Sequence, residues 1–245
     1  MIYILTFFFL HWYISLFCQS FFMHRYGAHK MFTLNKFWEK FFFLLSYVSQ
    51  GSSYLSPRAY AILHRMHHAY SDTEKDPHSP HNSTNAFAMM METKRIYNNY
   101  AKDVVKPEPK FEKNLPHWAA LDAIGDTWTS RISFGLLYIA FYIHFVPSGY
   151  EWLYLLLPIH FLMGPVQGAI VNWFGHKVGY RNFNEDDKST NTFVLDLFLL
   201  GELFQNNHHH APARANFGAK WYEFDPIYPI IWVLNTVGII KLVKE

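Results

Sequence analysis

Eight histidines in four short clusters, His24 with His29, His64 with His67 and His68, His176, and His208 with His209, are the residues of this chain best suited to chemistry. Imidazole is the commonest nitrogen ligand for iron, copper and zinc, and purely structural histidines rarely cluster in this way. The clusters point to a buried poly-imidazole metal centre. In HRMHH, His64, His67 and His68 stand at i, i+3 and i+4, on one face of a helix, and no breaker interrupts Ala59 to Ala69. His24 and His29 of HRYGAH are five apart, which puts them about 140° apart on a regular α-helix. They cannot both ligate from one straight α-helix. Gly27 permits a turn between them, so His24 is expected at the end of a span and His29 in the turn after it. His208 and His209 are adjacent and point in different directions, so they could serve two neighbouring metals rather than one. Gln205 lies one turn before His208, and Asn172 precedes His176 by four residues, where it could hold a metal-bound water.

The elements that must carry these residues are greasy. Of 245 residues, 51% are hydrophobic and 20% aromatic, while 16% are charged, against roughly 25% in ordinary soluble domains. This is membrane-protein composition, and the fold class it implies is all-α. A net charge of +2 and the lack of a basic stripe argue against nucleic acid as a partner. Cys18 is the only cysteine. It can make no internal disulfide or iron–sulfur site, so any electrons used must come from another protein. The clusters run from residue 24 to residue 209 and must converge if they share a site, so 1–245 reads as one domain.

Hydropathy suggests spans at about 2–23, 128–146 and 152–174, with cytoplasmic cap segments at 24–127 and 175–245. No basic n-region or small-residue cleavage site marks the first span as a removable signal. No Lys or Arg occurs from Ile132 to Gly175, which places the Pro147 turn outside and all four histidine clusters on the cytoplasmic side. Parity then forbids a single crossing between His29 and His64. The apolar run Phe41 to Val48 reads as an interfacial helix or a shallow re-entrant turn. Ile227 to Val243 could be a fourth span, but Trp221 and Tyr222 at its start favour an interfacial or cap-packing helix.

The boxes HRYGAH, HRMHH and QNNHH, the last followed by His210, Ala211 and Pro212, together with NWFGH and GYRNF, closely resemble the integral-membrane acyl desaturases, especially their bacterial members. The resemblance runs from about His11 to Phe217, and three boxes in this order are highly specific. It implies a di-iron enzyme of a bacterial inner membrane that inserts a cis double bond, of delta-9 type, into a long saturated acyl chain using dioxygen. By that analogy His24, His29, His64, His68 and His208 bind one iron. His67, His176 and His209 bind the other, with Asn172 holding a water. The carrier would be CoA, a membrane lipid or acyl carrier protein, and the electron donor ferredoxin or cytochrome b5 with its reductase. The chain departs from the animal acyl-CoA enzymes in three places. Gln205 stands where their third box opens with a histidine, which leaves a ligand of the second iron in question. Ile62 and Leu63 replace charged residues before the second box, which weakens CoA as the carrier. Their additional span before the first box has no counterpart, as in a short three-span form or a truncated gene model.

Other residues carry weaker signals. Asp72, Glu74, Asp76, Glu202, Asp186 and Asp187 are candidates for orienting the imidazoles. Selectivity for an alkyl chain requires a narrow apolar tunnel, for which aromatics of the first span and Phe41 to Phe43 are candidate lining. Lys94 and Arg95 could meet an anionic head group. His11, His144 and His160 lie in apolar spans and belong to no box, while His78, His81, His117 and His210 read as cap or supporting residues. A related hydroxylase would use much the same ligands. A zinc protease would show HExxH, which is absent, and a metal transporter would place its ligands near the bilayer midplane.

Overall fold

The structure, a computed structural model, describes residues 1–243; the last two residues of the second cap segment, 244 and 245, lie outside the described residues. It is built mainly of helices, with one short pair of strands.

Helix α1 (Ile2–Phe17) is an apolar run without Pro, Gly or charge. It does not stop there, but widens into a π-helical stretch over Cys18–Ala28. A π-turn inside a helix stacks residues five apart, and such turns concentrate at functional sites. The backbone N–H of His29 accordingly donates to the carbonyl of His24 at 3.1 Å. The turn expected at Gly27 is therefore absent. The helix runs through Gly27 to Ala28, and His29 is its C-cap in the turn after it, as expected, with its ring centroid 5.0 Å from that of His24. Gly27 instead allows close packing, since a Cβ there would lie 3.4 Å from Pro116 Cγ. The chain reverses beyond it, with Lys30 in the left-handed region at φ 57°. Strand β1 (Phe32–Leu34) then pairs antiparallel with β2 (Ile240–Leu242), Phe32 opposite Leu242, tying the last described residues to the first histidine box.

Helix α2 (Lys36–Gln50) starts where the Asn35 side chain accepts from the Trp38 backbone N–H at 3.0 Å. Phe42 and Phe43 are buried against Phe21 and Phe22, while Phe37, Phe41, Leu44 and Val48 are exposed. At 15 residues it is about 22 Å long and amphipathic, the form expected of an interfacial helix. Helix α3 (Pro57–Tyr70) carries the second box, with Pro57 in its first turn. It is followed by α4 (Ala86–Ala101), α5 (Ala119–Gly125) and α6 (Trp128–Phe145).

The segment expected as a straight span at 152–174 is broken. Helices α7 (Leu157–Phe161) and α8 (Met163–Gly175) meet at Leu162, and the pair is bent by 75°. Pro165 explains the break: it has no N–H to bond the carbonyl of Phe161, four residues back, and its ring crowds the preceding turn. Ser52 Oγ donates to that freed carbonyl at 3.1 Å.

Among the described residues, only Ile2–Ala28 is a single helix long and apolar enough to cross a bilayer, and the bent pair 151–175 passes the same test when taken together. Helix α6 has 18 residues, but its first turn holds Thr129, Ser130 and Arg131. Helix α9 (Gln205–His210) carries the third box, and α10 (Ile227–Thr236) has 10 residues, about 15 Å, too short to cross alone.

Candidate metal centre

The four histidine clusters converge from α1's π-helical end, α3, the end of α8, and α9. They form two adjoining sets. His24, His29, His64, His68 and His208 each offer one nitrogen, all within 4.8 Å of one another, and so do His67, His176 and His209. The i, i+3, i+4 spacing on α3 divides itself between the sets: His64 and His68 face the first, and His67 the second.

The ring nitrogens meet head-on. His24 Nε2 lies 3.0 Å from His208 Nε2, His68 Nε2 3.0 Å from His208 Nε2, and His29 Nε2 2.7 Å from His64 Nε2. Across the second set His67 Nε2 lies 3.2 Å from His209 Nε2. Two nitrogens each about 2.1 Å from one ion and at right angles to each other lie about 3.0 Å apart. The spacing is therefore that of ligands around shared ions, and the residues fit a metal pair.

Carboxylates behind the rings fix which nitrogen faces inward. Nδ1 of His24 donates to Glu202 at 2.7 Å, that of His67 to Asp76 at 2.9 Å, that of His176 to Asp72 at 2.9 Å, and that of His209 to Asp187 at 2.5 Å. A proton held on Nδ1 leaves the Nε2 lone pair for a metal. His176 Nε2 is buried and has no hydrogen-bond partner. Four of the six candidate carboxylates thus take up the orienting role, whereas Glu74 and Asp186 are exposed. Sequence could not rank them, because the partners lie up to 178 residues from their histidines.

Burial, reinforced by neighbouring imidazoles, holds His29, His64, His68 and His208 well below the ordinary imidazole pKa. They are neutral at pH 7, the form that donates a lone pair. Burial lowers His209 to about 4 despite Asp187. For His67, burial pulls downward but the Asp76 carboxylate wins and raises it. Burial alone would raise Asp72, Asp76, Asp187 and Glu202, yet each is held below the usual carboxylate range by its histidine.

Arg25, fully buried, ties the first box to the rest. It donates to Glu202 and to Asp225, each at 2.8 Å, and its guanidinium carbon stacks 3.7 Å from the Phe217 ring centroid. Glu202 also accepts from Ser20 Oγ at 2.5 Å. Neither Arg25 nor Phe217 stood out in the sequence, since an arginine between box residues has no local mark of burial.

The centre opens onto a cavity of about 800 Å³. His24, His64, His67 and His78 lie on its wall, and Lys94, Lys102 and Arg131 supply its basic residues. Gln205 and Asn172 line it too. Gln205 Nε2 donates to the Glu202 carbonyl at 2.6 Å, so the amide is held by its nitrogen. The aromatics of the first span and Phe41 to Phe43, expected to line a tunnel, do not line this cavity. Phe42 and Phe43 belong to the aromatic core, Phe41 is exposed, and the first helix contributes Leu16 and Gln19. Arg95 pairs with Glu92 on the outside and does not line the cavity.

A family model, "Fatty acid desaturase", matches residues 1–234. The chain belongs to the fatty acid desaturase family. Membership makes it an oxidoreductase acting in fatty-acid metabolism. It is similar to a hex-5-enoyl-[acyl-carrier protein] acetylenase of Moorena producens (strain JHB), 27% identical over 95% of this chain and 74% of the relative. It is similar also to an sn-1 stearoyl-lipid 9-desaturase of Anabaena variabilis, 28% identical over 90% of this chain and 76% of the relative. A delta-9 acyl-lipid desaturase 1 of Arabidopsis thaliana is 26% identical over 90% of this chain and 68% of its own length.

The remaining histidines of this desaturase divide by surroundings. His81 Nε2 donates to the His176 carbonyl at 2.8 Å, supporting a cluster residue through its backbone. His210 bonds Glu185 and stacks on Phe183 at the surface, and His117 is also exposed. His11 and His160 approach to 2.6 Å through their Nδ1 atoms, with Tyr142 on the other nitrogen of His160, apart from the metal centre. His144 is exposed.

Proposed function

We propose that this single-domain chain is a multi-pass membrane acyl desaturase with its site on the cytoplasmic side of a bacterial inner membrane. It places a cis double bond, of delta-9 type, in a long saturated acyl chain. The observation that carries this reading is the pair of inward-facing imidazole sets on the wall of one cavity with basic residues. In this reading α1 with its π-helical extension, α6 and the bent α7–α8 pair are the spans. The exposed Phe9, Leu10, Leu136, Leu137 and Ile143 then face lipid. α2 and α10 lie at the interface.

His24, His29, His64, His68 and His208 hold one iron, and His67, His176 and His209 the other, with Asn172 and Gln205 within the second ion's surroundings. When bound, the two irons supply the activation of dioxygen that lets hydrogen be removed from unactivated methylenes. The balance is one O2, two electrons and two protons for each double bond and two waters. The electrons come from ferredoxin, cytochrome b5 or a similar carrier. The residues around the ions have narrower tasks. Glu202, Asp72, Asp76 and Asp187 hold the Nδ1 protons and so the ring orientations. The buried walls exclude water, and Lys94 and Lys102 meet an anionic head or carrier group while the alkyl chain lies along Leu16, Met90 and Val171; Arg131 is held by Asp126 and the carbonyls of Ser52 and Tyr54. The carrier is a lipid ester or a thioester, the classes named for the sn-1 stearoyl-lipid, acyl-carrier-protein and acyl-CoA relatives.

The test is the fatty-acid profile, by gas chromatography with mass detection, of a host making only saturated chains and expressing this protein with a donor system. A new monounsaturated acid that is lost with His67→Ala is the expected result. Hydroxylated acids would convert the reading to a hydroxylase on the same ligands. Alkynoic acids would place it beside the acetylenase relative.

A further inference from the structure

The two imidazole sets are unequal, five against three, and one further buried histidine stands beside the smaller one. His78 is 8% exposed, and its Nε2 is buried without a hydrogen-bond partner. Its ring packs on His67 with centroids 4.4 Å apart, and a ring nitrogen of each, with an Asp76 oxygen, lies within 4.8 Å of the others. It lines the same cavity as His67. An imidazole kept out of water with an unpaired nitrogen is costly unless something binds that nitrogen.

Its placement is built by one carboxylate. Asp76 Oδ2 accepts from His67 Nδ1 at 2.9 Å, while Oδ1 accepts from the backbone N–H of His78 at 3.0 Å. Asp76 thus fixes the two rings relative to each other, and Pro77 between them stiffens the link. Gln205 is held by its amide nitrogen on the Glu202 carbonyl, which leaves only the carboxamide oxygen to offer an ion. A neutral imidazole is also the stronger ligand for a divalent first-row ion than a carboxamide oxygen.

We propose that His78 is the fourth nitrogen ligand of the ion held by His67, His176 and His209, compensating for Gln205 in the third box. This rests on the two-ion reading above. Two irons per chain in the unsubstituted protein, measured by mass spectrometry on the purified, iron-loaded enzyme in detergent, uphold that reading; one or none would sink it whatever His78 does. His78→Ala is then expected to retain about one iron and an unchanged thermal transition, while Gln205→Ala keeps two. Two irons in folded His78→Ala, with unchanged Mössbauer parameters, would overturn the proposal. Should His78→Ala fail to fold, zinc titration of the metal-free unsubstituted protein, followed by imidazole nitrogen NMR, decides the matter. Movement of a ninth ring beyond the eight of the two sets supports His78 as a ligand, and movement of eight alone contradicts it.

Discussion

The five-histidine set and the three-histidine set share a wall, yet they are built differently. In the larger set only His24 has a carboxylate behind it; His29, His64, His68 and His208 hold one another by mutual approach and burial. In the smaller set every ring is backed by its own aspartate, Asp76 for His67, Asp72 for His176 and Asp187 for His209. A site rich in ligands can orient them by crowding. A site poor in ligands needs each one individually held, and the added negative charge behind it strengthens each nitrogen as a donor. The smaller set should therefore be the more easily emptied and the more sensitive to its surroundings.

Breaking the smaller set should have the largest effect. His67→Ala is expected to abolish product, because it removes a ligand of an ion the reaction needs, whereas His29→Ala, one of five, should retain more metal than His67→Ala. Iron content and fatty-acid product measured side by side check the order. Equal loss from both substitutions would contradict the comparison.

The supporting carboxylates come next. Asp76→Asn should weaken metal binding in the smaller set by about 10- to 100-fold, read by competition with a chelator. Glu202→Gln touches one ring of five and should cost metal affinity less. It should cost folding more, because it leaves the buried Arg25 with Asp225 as its one carboxylate partner. Thermal melting separates the two outcomes.

A smaller effect sharpens the role of Gln205. A Cβ on Gly175 would lie 2.4 Å from Gln205 Cγ, so Gly175→Ala should push that amide from its place beside His176. Activity should fall by several-fold with iron content kept. A loss of iron equal to that of His67→Ala would make Gln205 a metal ligand in its own right.

The mildest lever is pH. His29, His64, His68 and His208 of the larger set are already neutral at pH 7, so none of these four has to shed a proton to bind metal between pH 8 and pH 6. His67 is raised, so it must shed a proton to bind, and uptake by the smaller set should decline as pH falls through that range. In the metal-free protein the sign for folding is opposite: the charged His67–Asp76 pair stabilises below the ordinary imidazole pKa and is lost as pH rises through the raised value. Chelator-released metal against pH reads the first effect.

Much of this site was legible in the sequence because metal ligation demands particular residue types at short spacings. HRMHH on α3 needed only helical periodicity to put His64, His67 and His68 on one face. HRYGAH misled, because a 3.6-residue period was assumed where the helix widens to a π-turn, and nothing local in CQSFFMHRYGA announces that. The shortness of α2 followed from its brief apolar run and the polar residues after it. The break at Leu162 followed from Pro165, which was visible but not weighed. Asp76 and Glu202 were legible only as unranked candidates and Arg25 not at all, since burial and the choice of which ring each carboxylate holds are tertiary facts.

The most direct test of the account is the Mössbauer spectrum of the purified protein loaded with iron-57 and reduced. The account predicts two irons per chain giving two doublets of equal area and different quadrupole splitting, one for each histidine set, with the second doublet alone removed by His67→Ala. A single iron, or one doublet reduced uniformly by that substitution, would contradict it.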